Sequence, residues 1–408
     1  MRSSVHFRHR SAVLSWLSLL YPLVMVYVSL FPLNWHPPVV WSNPLMHPWP
    51  RRDARSDVLV NILAYIPLGL LLALFWRRCG RSGAAVLSLV AGFGLSFSME
   101  FLQEALPGRV SSVADIAHNT LGTLFGIILA QLVSRGTLSG DWFYRQRVRL
   151  AAPGALANMG LVVLALWAAA ELFPFVPSPD MATIKHGLRP LFETLRYPAT
   201  FAGWKALGDG LELFGIGLLA RCVLREPSLL PTSLLILAVT ALKIIVVYQV
   251  LSLEFMLAAL IALTLLLFSG WQTVERRAGL ALVSIAASLV IDELRRGASD
   301  RLYAFNWAPF SAQIDTLPGF NDLLVTVWIA LALATLTRML VQGSPKRERG
   351  AKLLGGTLLF CSWFALEWHQ QLLPGRIPDV TDPLVALGVW WLAWLVPVRG
   401  GLQARVKR

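Results

Sequence analysis

The chain has 408 residues, of which 56% are hydrophobic and only 14% are charged. Soluble proteins carry about 25% charged residues, so this composition excludes an ordinary soluble domain and indicates a helical membrane protein. The net charge of +13 does not indicate nucleic-acid binding, because the basic residues form short clusters between apolar segments, as orientation in a membrane requires. We expect membrane lipid as a partner and no nucleic acid.

Twelve apolar segments are predicted to be transmembrane helices. In chain order they are Ala12–Phe31, Val58–Trp76, Ala84–Leu102, Val113–Val133, Ala155–Val176, Ala206–Leu224, Ser228–Val247, Leu251–Trp271, Ala278–Leu294, Leu323–Val341, Lys352–Trp368 and Pro383–Val398. Most of the 36 Lys and Arg residues lie at the N-terminus and in every second loop, which predicts a multi-pass protein of the inner-membrane type with both termini in the cytoplasm.

Two stretches, 267 residues apart, match without a gap: MEFLQEALPGRVSSVAD (Met99–Asp115) and LEWHQQLLPGRIPDVTD (Leu366–Asp382). Upstream, LNWHPP is echoed by FNWAPF, and DVLVNI by DLLVTV, in the same order. The last third therefore reads as a diverged copy of the first. We predict an all-α protein of three four-helix modules, at 12–134, 155–271 and 278–398, with a basic cytoplasmic linker at 135–154. The middle module is degenerate, and an unrelated helical grouping is its alternative.

The notable polar residues of module one lie at the span ends that face away from the cytoplasm. They are Asp57, Asn61, Glu100, Gln103, Arg109, Asp115 and Asn119. A short loop joins the third and fourth spans, so these helices are expected to be antiparallel neighbours whose side chains converge near the outer face. An ionisable residue within a span costs about 2.5 kcal/mol or more unless it meets a partner or water.

Three interpretations of these residues stay open. The charges can form an ion-pair clasp, or they can line a pocket in which Arg109 pairs with a phosphate or carboxylate. Glu100 and Asp115 are also candidates for a catalytic acid and base. His118 is expected to hydrogen-bond at a helix start. The cysteines Cys79, Cys222 and Cys361 lie far apart, and we expect no metal and no cofactor.

A second, weaker set of polar residues occupies the final module. It consists of Asp322, Glu367, Gln370, Arg376 and Asp382. Thr326 and Ala386 stand where module one has its two amides, Asn61 and Asn119. The copy therefore keeps the acids and the arginine but is not expected to form a complete second site.

The pattern D-x3-N-x5-P-L-G, E-x2-Q-x5-R and D-x3-N-x2-G resembles the VanZ-like family. Its positions here are Asp57, Asn61, Pro67, Leu68, Gly69, Glu100, Gln103, Arg109, Asp115, Asn119 and Gly122. The resemblance implies a small bacterial membrane module. Founding members of the family are associated with low-level teicoplanin resistance, and relatives often accompany envelope and exopolysaccharide systems. A fused chain of three modules departs from the single-module members.

The leading functional prediction is a non-enzymatic inner-membrane protein that binds a lipid-linked or glycan or peptide component of the cell envelope. The alternatives are a membrane enzyme acting on an envelope lipid or glycan through Glu100 and Asp115, and a transporter. A transporter calls for polar groups near the bilayer midplane, whereas the best cluster lies near one surface. The sequence carries no signal for the oligomeric state.

Overall fold

The computed structural model describes residues 4–31, 34–36, 38, 40–49, 55–107, 109, 111–134, 136–225, 229–269, 272–297, 299–311, 313 and 316–398. The described part of the chain is built from α-helices and contains no β-strand. The helices are α1 (Ser4–Leu30), α2 (Arg55–Phe75), α3 (Gly80–Gln103), α4 (Val113–Val133), α5 (Leu138–Leu150), α6 (Ala155–Glu171), α7 (Met181–Arg196), α8 (Gly203–Val223), α9 (Leu229–Leu242), α10 (Leu253–Leu267), α11 (Val274–Glu293), α12 (Leu317–Val341), α13 (Pro345–Gln370) and α14 (Thr381–Leu395).

Among the described residues, three helical stretches are long and apolar enough to cross a membrane, namely Asp57–Gln103, Val113–Val133 and Leu317–Val341. The first comprises α2 and α3, which a short 3-10 turn separates at Trp76–Cys79. An α-helix overlaps each of the twelve predicted spans, and the all-helical class is confirmed. The crossing of the membrane by all twelve stays a prediction. The predicted ends at Ser228 and Trp271, and the first residue of the linker, lie outside the described residues.

The chain divides into two compact units. The first unit comprises Met1–Arg147 and Phe310–Phe320, and the second unit comprises Val148–Pro309 and Asn321–Arg408. The first unit contains the whole of predicted module one, and the second unit contains most of the other two modules. The three-module division therefore stays a prediction.

Helices α2 and α4 pack with their backbones in contact. A Cβ atom added at Gly122 would lie 2.2 Å from the Ile62 carbonyl oxygen, and one at Gly126 would lie 2.1 Å from that of Ile66. Small residues four apart permit this close approach between membrane helices. Helix α3 runs antiparallel to α4, because Ser96 meets Asn119 while Gly92, one turn earlier, faces Thr123, one turn later. The expected antiparallel arrangement is present.

Helix α8 lies at the centre of the second unit. Its side chains Leu213, Ile216 and Leu219 are fully buried in a core that also contains Trp167 of α6 and Ile285 of α11. Two further helices, α5 and α7, were not predicted as elements. Helix α5 occupies the basic linker, and α7 begins after Asp180, whose side chain accepts hydrogen bonds from the first amides of the helix.

Helices α12 and α14 are joined through a buried arginine. Arg338 of α12 donates to the carbonyl oxygens of Ala393 and, at 2.6 Å, of Val396 at the end of α14. The last carbonyls of a helix have no partner within the helix, so a cation placed there satisfies them and interacts favourably with the helix dipole.

Candidate functional site

Glu100 fastens the loop between α3 and α4. It lies in the last turn of α3 with only 4% of its surface exposed, and its Oε2 accepts a hydrogen bond from the Ser112 amide at 2.7 Å. Ser112 is the N-cap of α4, because its hydroxyl oxygen accepts from the Ala114 amide at 3.2 Å. The acid therefore fixes the residue from which the next helix starts.

The three amides of the predicted set each connect one pair of helices. Asn61 of α2 donates to Asp115 of α4 at 2.8 Å. Asn119 of α4 donates to Ser96 of α3 at 2.9 Å, and Gln103 of α3 donates to the Ser29 carbonyl of α1 at 2.9 Å. These amides thus lie at one end of the bundle, as expected, and each uses a hydrogen bond to hold two of its four helices together.

Two charged members of the set reach the surface. Arg109 in the loop and Asp57 at the start of α2 are both exposed. The charges of Arg109 and Asp115 both act on the Glu100 carboxylate. This end of the bundle therefore combines a buried, hydrogen-bonded acid with an exposed arginine, a residue type whose guanidinium suits planar anions.

A further polar network at this end escaped the sequence analysis. The Ser42 amide donates to Glu104 Oε2 at 2.9 Å, and His47 lies 3.6 Å from the other Glu104 oxygen. The second ring nitrogen of His47 contacts the Ser111 carbonyl oxygen at 3.0 Å. The sequence signal that could have indicated this network is the high density of Trp, His and Pro in the segment 35–49.

Aromatic side chains flank this network. Trp41 stacks on Phe101 with the ring centroids 4.7 Å apart, and Trp49 meets the ring of His118 edge-on at 5.9 Å. Both tryptophans keep a substantial exposed surface. Amphipathic rings of this kind suit either the membrane interface or the apolar face of a sugar.

The final module contains the same loop fastening in the same register. Glu367 Oε2 accepts from the Asp379 amide at 3.0 Å, twelve residues along the chain, as Glu100 does from Ser112. Asp379 Oδ1 in turn accepts from the Thr381 amide at 2.6 Å. These contacts repeat, pair by pair, those of module one.

The arginine of the final module differs from that of module one. Arg376 is half-buried, and its guanidinium donates to the carbonyl oxygens of Asp292 and, at 2.9 Å, of Arg295, at the end of α11. Asp322 is exposed near the start of α12. The two arginines therefore differ in exposure, since Arg376 is half-buried at a helix terminus and Arg109 is exposed.

The helices and their composition define a helical membrane protein. Residues 16–134, which hold α1 to α4, match the sequence model of the VanZ/LLP1 family, so the chain carries a VanZ-like domain. This match confirms the family resemblance for module one. It covers less than a third of the chain. No curated protein and no solved structure gives a significant match to the chain.

Proposed function

We propose that the chain is a bacterial inner-membrane protein that binds a lipid-linked or glycan or peptide component of the cell envelope at the outer face of module one. The alternation of basic loops supports the inner-membrane location with cytoplasmic termini. The VanZ-like domain makes glycopeptide sensitivity and exopolysaccharide output the phenotypes to score.

The observation that carries this proposal is the exposure of Arg109 in a loop that Glu100 holds at its α4 end. Glu100 holds Ser112, the residue at which the loop enters α4, so this end of the loop is fixed before a ligand arrives, and preorganisation of this kind lowers the cost of binding. An arginine can pair with a phosphate or carboxylate through two parallel hydrogen bonds. The ligand is therefore expected to be anionic where it meets Arg109.

The surroundings of Arg109 suit the remainder of such a ligand. Trp41 and Trp49 offer exposed ring surface at the same end of the helices. His47 and Glu104 supply hydrogen-bonding groups beside them. A phosphate or carboxylate head attached to a sugar or peptide would contact the arginine and the aromatic rings together.

The enzymatic alternative is less well supported. The two candidate carboxylates, Glu100 and Asp115, each accept a hydrogen bond that connects structural elements. A general base needs its oxygen within hydrogen-bond reach of the proton that it removes, and these bonds engage one oxygen of each carboxylate with another part of the protein. Glu100→Gln would keep an acceptor for Ser112, so it separates catalysis from folding.

The test is binding of a polyprenyl pyrophosphate-linked disaccharide pentapeptide to the full-length chain in nanodiscs. Losing a charged hydrogen-bonding group costs about 1.5–3 kcal/mol, so Arg109→Ala should weaken binding about 10- to 100-fold. Arg109→Lys should retain part of the affinity because the charge remains without the planar fork.

The matched control is Arg189→Ala, which removes an exposed arginine from α7. The control should bind like the wild type. The proposed role of the arginine would be refuted if the wild type and Arg109→Ala bound with equal affinity while both proteins were inserted in the membrane. If the wild type converts the ligand to a product and Glu100→Gln does not, the enzymatic alternative would be favoured instead.

A further inference from the structure

Three carboxylates of the second unit converge on one point. Glu293 is the last residue of α11, Glu367 lies in the last turn of α13, and Asp382 lies in the first turn of α14. One carboxylate oxygen from each lies within 4.8 Å of the others. We call Glu293, Glu367 and Asp382 the carboxylate triad.

Little positive charge compensates the triad. Arg376 approaches Glu293 Oε2 only to 4.0 Å, and Gln370, which is neutral, donates to both Glu293 and Glu367. Asp322 and Asp379 add further negative charge that acts on Asp382. Like charges gathered in this way are unfavourable unless protons or a cation neutralise them.

Asp382 provides an independent indication of a ligand. Only 5% of its surface is exposed, and its buried Oδ1 has no hydrogen-bond partner among the described residues. Burial removes the water that would hydrogen-bond to such an oxygen, and this is unfavourable unless another donor or a cation takes its place. Because Asp382 also contributes to the triad, its carboxylate lies where the other two converge.

Module one supplies a hydrogen-bond donor to the acid at the position equivalent to Asp382, and the final module has a different residue in place of that donor. Asp115, at the position equivalent to Asp382, accepts a hydrogen bond from Asn61. The equivalent of Asn61 is Thr326, which is buried and has no side-chain amide to donate. In module one Gln103 binds a backbone carbonyl of α1, whereas in the final module Gln370 meets the acid Glu293.

We propose that the carboxylate triad binds one divalent cation of the hard, oxygen-preferring class, Mg²⁺, Mn²⁺ or Ca²⁺. Two ligand oxygens of one ion lie at most about 4.2 Å apart around Mg²⁺ and about 5 Å apart around Ca²⁺. The triad oxygens, within 4.8 Å of one another, are therefore inside the limit for Ca²⁺ and near the limit for Mg²⁺. A carboxylate oxygen has two lone pairs, and those that accept from Gln370 or Asp379 can still bind metal.

Surrounding groups orient the triad for this role. The Asp379 amide fixes Glu367 Oε2, and the Gln370 side-chain amide sets the spacing between Glu367 and Glu293. Hydrogen bonds to metal ligands typically change metal affinity 10- to 100-fold when they are removed. The ion would connect α11, α13 and α14 and would leave Arg109 and its loop untouched.

The test uses Mn²⁺ as the probe and the full-length chain in detergent. Protein treated with EDTA and transferred to metal-free buffer is dialysed against Mn²⁺, and the bound ion is counted by elemental analysis and by its electron paramagnetic resonance signal. We expect one Mn²⁺ per chain, displaced by Mg²⁺ or Ca²⁺. Glu367→Gln and Asp382→Asn should each weaken binding at least about 10-fold.

Glu254→Gln is the matched control, since Glu254 is a buried acid of the same unit that accepts from the Ala202 amide at 3.0 Å. It should bind Mn²⁺ like the wild type. If a triad variant fails to elute as a folded species, Glu293→Gln replaces it, because Glu293 is less buried. Wild-type protein that binds no more Mn²⁺ than the triad variants would overturn the proposal and leave protons as the neutralising species.

Discussion

Gly122→Ala tests whether the contact between α2 and α4 holds module one together. The added Cβ would lie 2.2 Å from the Ile62 carbonyl oxygen and 2.9 Å from Tyr65 Cβ. A carbon and an oxygen normally approach to about 3.3 Å, so the helices must separate by roughly 1.1 Å. The same movement would stretch the 2.8 Å bond between Asn61 and Asp115 to about 3.9 Å, beyond hydrogen-bond range.

The expected loss of stability in Gly122→Ala is the sum of three contributions. Overpacking costs about 1–3 kcal/mol, and an interhelical hydrogen bond in a membrane protein is worth about 0.6 kcal/mol. Alanine recovers about 1 kcal/mol through its greater helix propensity. We therefore expect the variant to be less stable by about 0.6–2.6 kcal/mol.

The assay is unfolding in mixed micelles of increasing SDS fraction, followed by circular dichroism. The control is Gly94→Ala on α3, where an added Cβ meets nothing within 4 Å. The control should be as stable as the wild type or more stable, because only the propensity changes. Equal stability of the two variants would refute the reasoning that backbone contact at Gly122 determines the packing.

Three further predictions concern single hydrogen-bonding groups. Glu100→Ala should make the loop before α4 cleavable by added protease while Glu100→Gln should not, since only the latter keeps an acceptor for the loop amide; equal cleavage would exclude the fastening role. Hydrogen bonds from the Ser178 hydroxyl and then from Thr183 hold the pKa of Asp180 below its usual range. The amides at the start of α7 should therefore stay protected from hydrogen exchange above about pH 4. Their protection should fall as the pH drops through the lowered pKa of Asp180. In Asp180→Ala the same amides should be unprotected at every pH. Arg338→Met should leave the final carbonyls of α14 without their donor and lower the stability by about 1.5–3 kcal/mol, measured by SDS titration; an unchanged midpoint would contradict this.

The same hydrogen bond to the loop occurs in the first and the final module, which bears on the prediction that one is a copy of the other. Glu100 and Glu367 each accept from a backbone amide twelve residues later. An unrelated helical hairpin has no reason to repeat both the residue type and the register of this bond. The recurrence supports the proposed duplication.

The sequence alone determined those features that depend on neighbours along the chain. Apolar runs located twelve of the described helices, though not α5 or α7, and the spacing of Glu100 and Gln103 placed both at one helix end. The family pattern in module one is likewise a local signal and was confirmed by the match over residues 16–134.

Only the tertiary structure decided which distant side chains meet. Gln103 binds α1, a contact that no spacing in the sequence encodes, because it depends on how the helices pack. The carboxylate triad brings Glu293 from α11 to Glu367 and Asp382, although Glu293 belongs to no recognisable motif. Helix packing sets such meetings through side-chain shape over the whole interface, so they cannot be predicted from the positions of a few polar residues.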